Sequence, residues 1–171
     1  SRIIAASALS GPAPLDPDGG ELEVVSSGTR NHLDVAMNDH DHVFTYDNTD
    51  DGLGWWTRVT HIIPTGYYGY PWDYQGHPER FIPPLSEYGG GSPCGGLVYR
   101  GDAWPAPFRG SVFFCEWGQG LVRRFEVERK GAGYTVSKHE DFMTSGGGGA
   151  FRPLDVCQSP DGRFLYVADW N

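Results

Sequence analysis

An internal repeat limits what this chain can fold into. Residues 30–48, RNHLDVAMNDHDHVFTYDN, align with residues 151–171, FRPLDVCQSPDGRFLYVADWN. Leu33-Asp34-Val35 matches Leu154-Asp155-Val156, and after a turn differing by one residue, 43–47 matches 165–169. A looser third copy, GGLVYR…RGSVFFCEW, opens at Leu97-Val98 and closes at 112–116 after a long insert. Each copy reads as strand, turn and second strand, ending on an acidic residue: Asp47, Glu116 or Asp169. Such units bury their apolar faces by stacking on one another. The opening leucines lie 64 and 57 residues apart. Common propeller repeats take about 40–50 residues, so the loops here carry insertions.

The rest of the chain agrees with an all-β reading. No window of a dozen residues keeps a helical period, and Gly or Pro interrupts nearly every candidate. Strands are expected at 22–25, 33–37, 42–46, 58–63, 96–99, 111–115, 121–127, 134–138 and 164–168. Turn signals separate them: DPDGG at 16–20, GGGSP at 89–93, KGAG at 130–133 and SPDG at 159–162. The glycine run at 145–150 is expected to be a mobile loop. Short strands, dense turns and an imperfect period together predict a β-propeller of four-stranded antiparallel blades. A β-sandwich is the alternative, but it would not require the repeated unit. About three blades are expected, at 22–90, 91–145 and an incomplete 146–171. Three blades cannot close a ring, so the reading is of a partial propeller domain over 1–171, extending beyond both ends.

Composition excludes several functions. The net charge of −9 opposes nucleic-acid binding, which needs a basic face. No apolar run is long enough for a transmembrane helix, and the first residues lack the pattern of a signal peptide. Cys94, Cys115 and Cys157 show no CxxC or CxxCH spacing, which argues against zinc and covalent haem within the segment. Buried free thiols are expected, with one disulfide as the alternative.

Residues 26–71 contain Gly28-Thr29-Arg30-Asn31, then Asp47-Asn48, then Tyr68-Gly69-Tyr70-Pro71. This order of pieces resembles the glucose/sorbosone dehydrogenase family, six-bladed propellers that bind pyrroloquinoline quinone (PQQ) and calcium. Residues 99–127 and 151–170 look like its later blades, and the likeness is greatest to large membrane-associated or haem-fused members. The resemblance implies that Arg30 and Asn31 contact the quinone, with Arg152 as a second cationic contact. A guanidinium fork suits the carboxylates of such a cofactor. It also implies calcium near Asp47, Asn48 and Thr49, a sugar or alcohol substrate, and an electron acceptor such as a haem protein. An extracytoplasmic location is implied by the resemblance alone. Two departures stand out. His32 follows Asn31 where the family has proline, and the loop after Asn48 is about three residues longer. The family's catalytic histidine lies on an earlier blade. None of His32, His40, His42, His61, His77 or His139 matches its motif, so the catalytic base is unknown.

Each candidate also has a plain structural reading. Arg30 can bond backbone carbonyls across the blade end, and Asn31, Asp47 and Asn48 can stabilise turns. The recurrence of the acid at Glu116 and Asp169 favours a structural role for that class. Asp39-His40-Asp41-His42 is expected to be a hairpin tip rather than a metal site, and Asp50-Asp51 to be solvated. Trp55, Trp56, Tyr67, Tyr68, Tyr70 and Trp72 either line a sugar-binding mouth or pack between blades. Two other functions remain open: a non-catalytic propeller used as a protein- or glycan-binding scaffold, and a calcium-dependent lactonase.

Overall fold

The computed structural model describes residues 3–7, 11–15, 24–49, 56–146 and 149–170. Strands β1 (Ile3–Ser7) and β2 (Gly11–Leu15) form an antiparallel hairpin. Strands β3 (Val35–Met37), β4 (Val43–Asn48), β5 (Thr57–Ile62) and β6 (Ser86–Tyr88) form a four-stranded sheet in that order. A second sheet follows the same plan with β7 (Pro93–Val98), β8 (Val112–Glu116), β9 (Leu121–Lys130) and β10 (Gly133–Thr144). A last hairpin pairs β11 (Pro153–Gln158) with β12 (Leu165–Asp169). Every pairing of these strands is antiparallel and joins consecutive ones, the up-and-down meander of a propeller blade. Among the described residues, no helix is long and apolar enough to cross a membrane.

The sheets stack through two apolar layers that meet at β8. Val112 and Phe114 face Ala36, Phe44, Tyr46 and Val59 of the first sheet. Phe113 and Cys115 turn the other way, into a cluster with Val156 and its neighbours Leu154, Leu165 and Val167 on the last hairpin. Successive side chains on a strand point to opposite faces, so the unbroken apolar run VFFC suits a strand covered on both sides. Full burial of each such side chain contributes about 1.5–3 kcal/mol.

The repeat has a structural basis. In each copy the acid that ends the second strand accepts a backbone N–H from the segment leading into the first. Arg30 N donates to Asp47 at 3.0 Å and Arg152 N to Asp169 at 2.7 Å, both across 17 residues. Ser92 N donates to Glu116 in the middle copy. The aspartates of the two Leu-Asp-Val units match as well. Asp34 accepts from Val35 N at 2.7 Å and Asp155 from Val156 N at 2.8 Å. Asp34 also accepts from Gly96 N at 2.9 Å, latching the first sheet to the second.

Several expectations shift. The strand expected at 33–37 starts at Val35, because Leu33 is exposed and Asp34 caps the next N–H. Of the strand expected at 22–25, residues 22–23 lie outside the described set, and 24–25 lie in no strand. β1, β2 and β6 had no apolar alternation to mark them; β2 carries two prolines and β6 is only three residues long. All three cysteines are free, and Cys157 is exposed rather than buried. It follows the inward-facing Val156 and so points outward. The segments 16–20 and 50–55, and residues 147–148 of the glycine run, lie outside the described residues.

Candidate functional site

The sequence-predicted site residues gather at one end of the sheets, where β4, β8 and β12 finish and β7 and β11 begin. Gly28 opens this region with φ of 79°, where a side chain would be strained. A Cβ there would also lie 2.6 Å from Gly69 N. That contact lets the Gly28–Asn31 segment lie against the Tyr67–Tyr70 turn, which has a cis Tyr70–Pro71 peptide. Tyr68 N donates to Ser27 O and Tyr70 N to Gly28 O, both at 2.9 Å. Asn31 takes φ of 57°, a conformation asparagine tolerates better than most residues.

Beneath this turn lies an ion pair missed by sequence reasoning. Arg58 and Asp47 are opposite one another on β5 and β4, and neither side chain is exposed. Arg58 Nε donates to Asp47 Oδ1 at 3.0 Å and Nη2 to Oδ2 at 2.6 Å. Nη1 donates to Tyr68 O at 2.9 Å, so one guanidinium ties the strand end to the aromatic turn. Burial opposes the charge on Arg58, but Asp47 outweighs it and raises the pKa. Beside the pair, His32 is only 7 % exposed, and neither ring nitrogen has a hydrogen-bond partner among the described residues. Burial holds its pKa below the usual value, partly opposed by Asp47 and reinforced by Arg58.

A hydrogen-bonded rim then crosses the two four-stranded sheets and the β11–β12 hairpin. Arg30 Nη1 donates to Asn48 Oδ1 at 2.8 Å, and Asn48 Nδ2 donates to Gly91 O at 3.2 Å. The chain continues into Ser92, whose carbonyl accepts from Trp117 N at 2.9 Å. Trp117 O in turn accepts from Arg152 Nη1 at 3.2 Å. Each arginine also lies over an aromatic ring. Arg30 is 5.8 Å from the Tyr70 centroid and Arg152 is 5.1 Å from that of Trp117. Both arginines are half-buried. Between them, Glu116 is fully buried, and its Oε2 has no hydrogen-bond partner among the described residues. Burial raises its pKa, opposed by the N–H groups of Ser92 and Gly118.

The side-chain oxygens expected near calcium are already engaged. Both Asp47 oxygens bind Arg58, and Oδ2 also accepts Arg30 N. Asn48 Oδ1 accepts from Arg30 and Asn31, and Thr49 Oγ1 bonds the Trp56 backbone. Calcium takes about 6–8 oxygen ligands, and this set does not fit it. No group of three or more His, Cys, Asp or Glu among the described residues is placed to hold a metal. The aromatic residues divide. Tyr68 is buried in the core and Tyr70 underlies Arg30, whereas Trp56 and Trp72 are exposed at 47 % and 84 %. Trp55 lies outside the described residues.

Comparison with known proteins places this arrangement. The model of a domain family of unknown function, DUF7133, matches residues 85–171, which hold β6 to β12. A search of curated proteins gives no match. Among solved structures, the chain is similar to one from Thermus thermophilus described as an oxidoreductase (glucose dehydrogenase). That likeness has a TM-score of 0.71 and 23 % identity, over 95 % of this chain and 51 % of the other. A PQQ-bound aldose sugar dehydrogenase from Streptomyces coelicolor gives 0.64 and 21 %, over 86 % of this chain and 42 % of the other. A further glucose dehydrogenase gives 0.70 and 23 %, over 94 % and 51 %. The chain therefore spans about half the length of the solved structures it matches. The stacked meanders are the shared fold, in which this chain supplies part of a propeller. With just over half its residues matched, the chain belongs to the DUF7133 family and has the fold of the glucose and aldose sugar dehydrogenases.

Proposed function

We propose that the rim binds PQQ and that the protein is a quinone-dependent dehydrogenase acting on an aldose or a related alcohol. The observation that carries this reading is the placement of Arg30 and Arg152 on one rim, joined by hydrogen bonds through Asn48 and Trp117. PQQ is a planar tricarboxylate, and guanidinium groups backed by aromatic rings suit its charge and its flat shape. Fold likeness to a PQQ-bound aldose sugar dehydrogenase supports the choice. When bound, the quinone would accept two electrons and a proton from the alcohol carbon.

The roles of this chain's residues follow from their contacts. Arg30 and Arg152 would pair with carboxylates, and Asn31, exposed beside Asn48, would donate an amide N–H. Arg58 would act indirectly by fixing the backbone of the Gly28–Asn31 segment through Asp47. This reading assigns no metal to Asp47, Asn48 or Thr49 and no catalytic base among the six histidines. A periplasmic or secreted location and a haem-type electron acceptor belong to the same proposal, on fold likeness.

The engaged oxygens of Asp47, Asn48 and Thr49 favour a second reading, a propeller that keeps the fold as a protein- or glycan-binding scaffold. A PQQ titration of the protein, followed by quinone absorbance and tryptophan quenching, separates the two. Saturable binding that weakens in both Arg30→Ala and Arg152→Ala supports the dehydrogenase. Binding untouched by either variant, or none at concentrations well above micromolar, leaves the scaffold.

A further inference from the structure

The opposite end of the same sheets carries a second candidate site. A groove of about 540 Å³ opens between the β3–β4 turn and the β9–β10 hairpin. It is lined by Asn38, His40, His42, Val127, Arg129 and Tyr134, with Gly110 at its edge. Six residues of β4 separate it from the rim, about 17–20 Å at strand rise.

The lining differs in kind from the rest of this acidic surface. Arg123 and Arg124, on the same strand as Arg129, pair with Asp141 and with Glu126 and Glu140. Arg109 pairs with Asp102, and Arg163 with Asp161. Among the described residues, no carboxylate pairs with Arg129. Its Nη1 instead lies 3.2 Å from His42 Nδ1 and 3.4 Å from Tyr134 Oη, and its guanidinium lies 5.4 Å from the Tyr134 ring centroid. A guanidinium has five N–H bonds in a fixed fork, and these contacts use only one nitrogen.

The surrounding side chains hold that fork in place. Asn38 Nδ2 donates to Tyr134 Oη at 2.9 Å, while Asn38 Oδ1 accepts from His40 N and His42 N. One amide thus ties the turn to the hairpin of the neighbouring sheet. Below, the His61 ring lies tilted against His42 at 5.3 Å and meets Tyr134 edge-on at 4.9 Å. Burial lowers the pKa of His42, with further lowering from Arg129 and His40 and partial opposition from Asp41.

We infer that this groove is a binding site for a small oxyanion, held by the remaining Arg129 N–H groups with the imidazoles of His40 and His42 beside it. Phosphate groups and carboxylates share the required chemistry, since both match the guanidinium fork. The groove is distinct from the rim, so either proposal can fail alone.

The test is calorimetric titration of the protein with inorganic phosphate, and separately with acetate, at constant ionic strength. Saturable phosphate binding that weakens at least about tenfold in Arg129→Gln, and stays within about twofold in Arg163→Gln, is expected. His42→Gln serves as a second variant and should weaken binding several-fold without loss of circular dichroism. Saturation by acetate but not phosphate keeps the site and assigns it to carboxylates. No saturation by about 10 mM of either anion, or binding that Arg129→Gln leaves unchanged, overturns the inference.

Discussion

The first and last copies of the repeat share one clasp and differ in what surrounds it. In both, the strand-end aspartate accepts the backbone N–H of an arginine 17 residues earlier. In the first copy that aspartate is fully buried and also grips Arg58. In the last copy Asp169 is exposed, and of the arginine's contacts the side-chain ones go to Trp117. The N–H clasp is therefore what the repeat specifies, and the charge pairing is an addition made by one blade. A buried charge that loses its partner is costly, whereas an exposed hydrogen bond is worth little net.

Three experiments sharpen that contrast. The largest effect is expected from Asp47→Ala or Arg58→Ala, each costing about 3–5 kcal/mol by stranding the other charge. Replacing both with apolar residues should cost less than either single change, a non-additivity that chemical denaturation would show. If the double change costs the sum of the two, the pair is not coupled and the description of this blade fails.

An intermediate effect is expected from acid. His61, on β5, has its pKa pushed down to about 4 by burial, with smaller contributions from His42 and Arg129. A folded pKa below the unfolded value means that the unfolded chain takes up the proton first. This contribution to stability is therefore complete above about pH 6.5 and drains away as pH falls towards 4. Hydrogen-exchange protection, corrected for the slower intrinsic exchange in acid, should fall in β4–β5 over that window more than in β11–β12, which carries no histidine. His61→Phe should flatten the pH profile.

The smallest effect is expected from Asp169→Ala, about 0.5–1.5 kcal/mol for one exposed hydrogen bond. Thermal melting would read it as a modest shift, and a loss as large as that of Asp47→Ala would erase the distinction between the two copies.

Much of the fold was legible because the repeat aligned the two Leu-Asp-Val units and their terminal acids directly. That alignment sets Arg152 opposite Asn31, one residue from Arg30, and it is the backbone bond each arginine makes to its strand-end aspartate that shows the two to be equivalent. The partner of Asp47 was not legible in the same way. Arg58 lies 11 residues on, across a loop whose length does not reveal hairpin register. Read without its partner, an Asp-Asn-Thr run at a strand exit has the composition of a metal loop. Cys157 shows the other limit. Residue type predicts burial on average, but the strand's period of two decides it, and Val156 already occupies the inward position.

The position of β8 has a consequence for how the molecule comes apart. Phe114 belongs to the layer shared with the first sheet, and Phe113 to the layer shared with the last hairpin. Peeling either neighbour away strips one flank of the same strand, so damage at one seam weakens the other. The three units should accordingly melt as a single cooperative block rather than one by one, with the slowest-exchanging amides of the chain on β8.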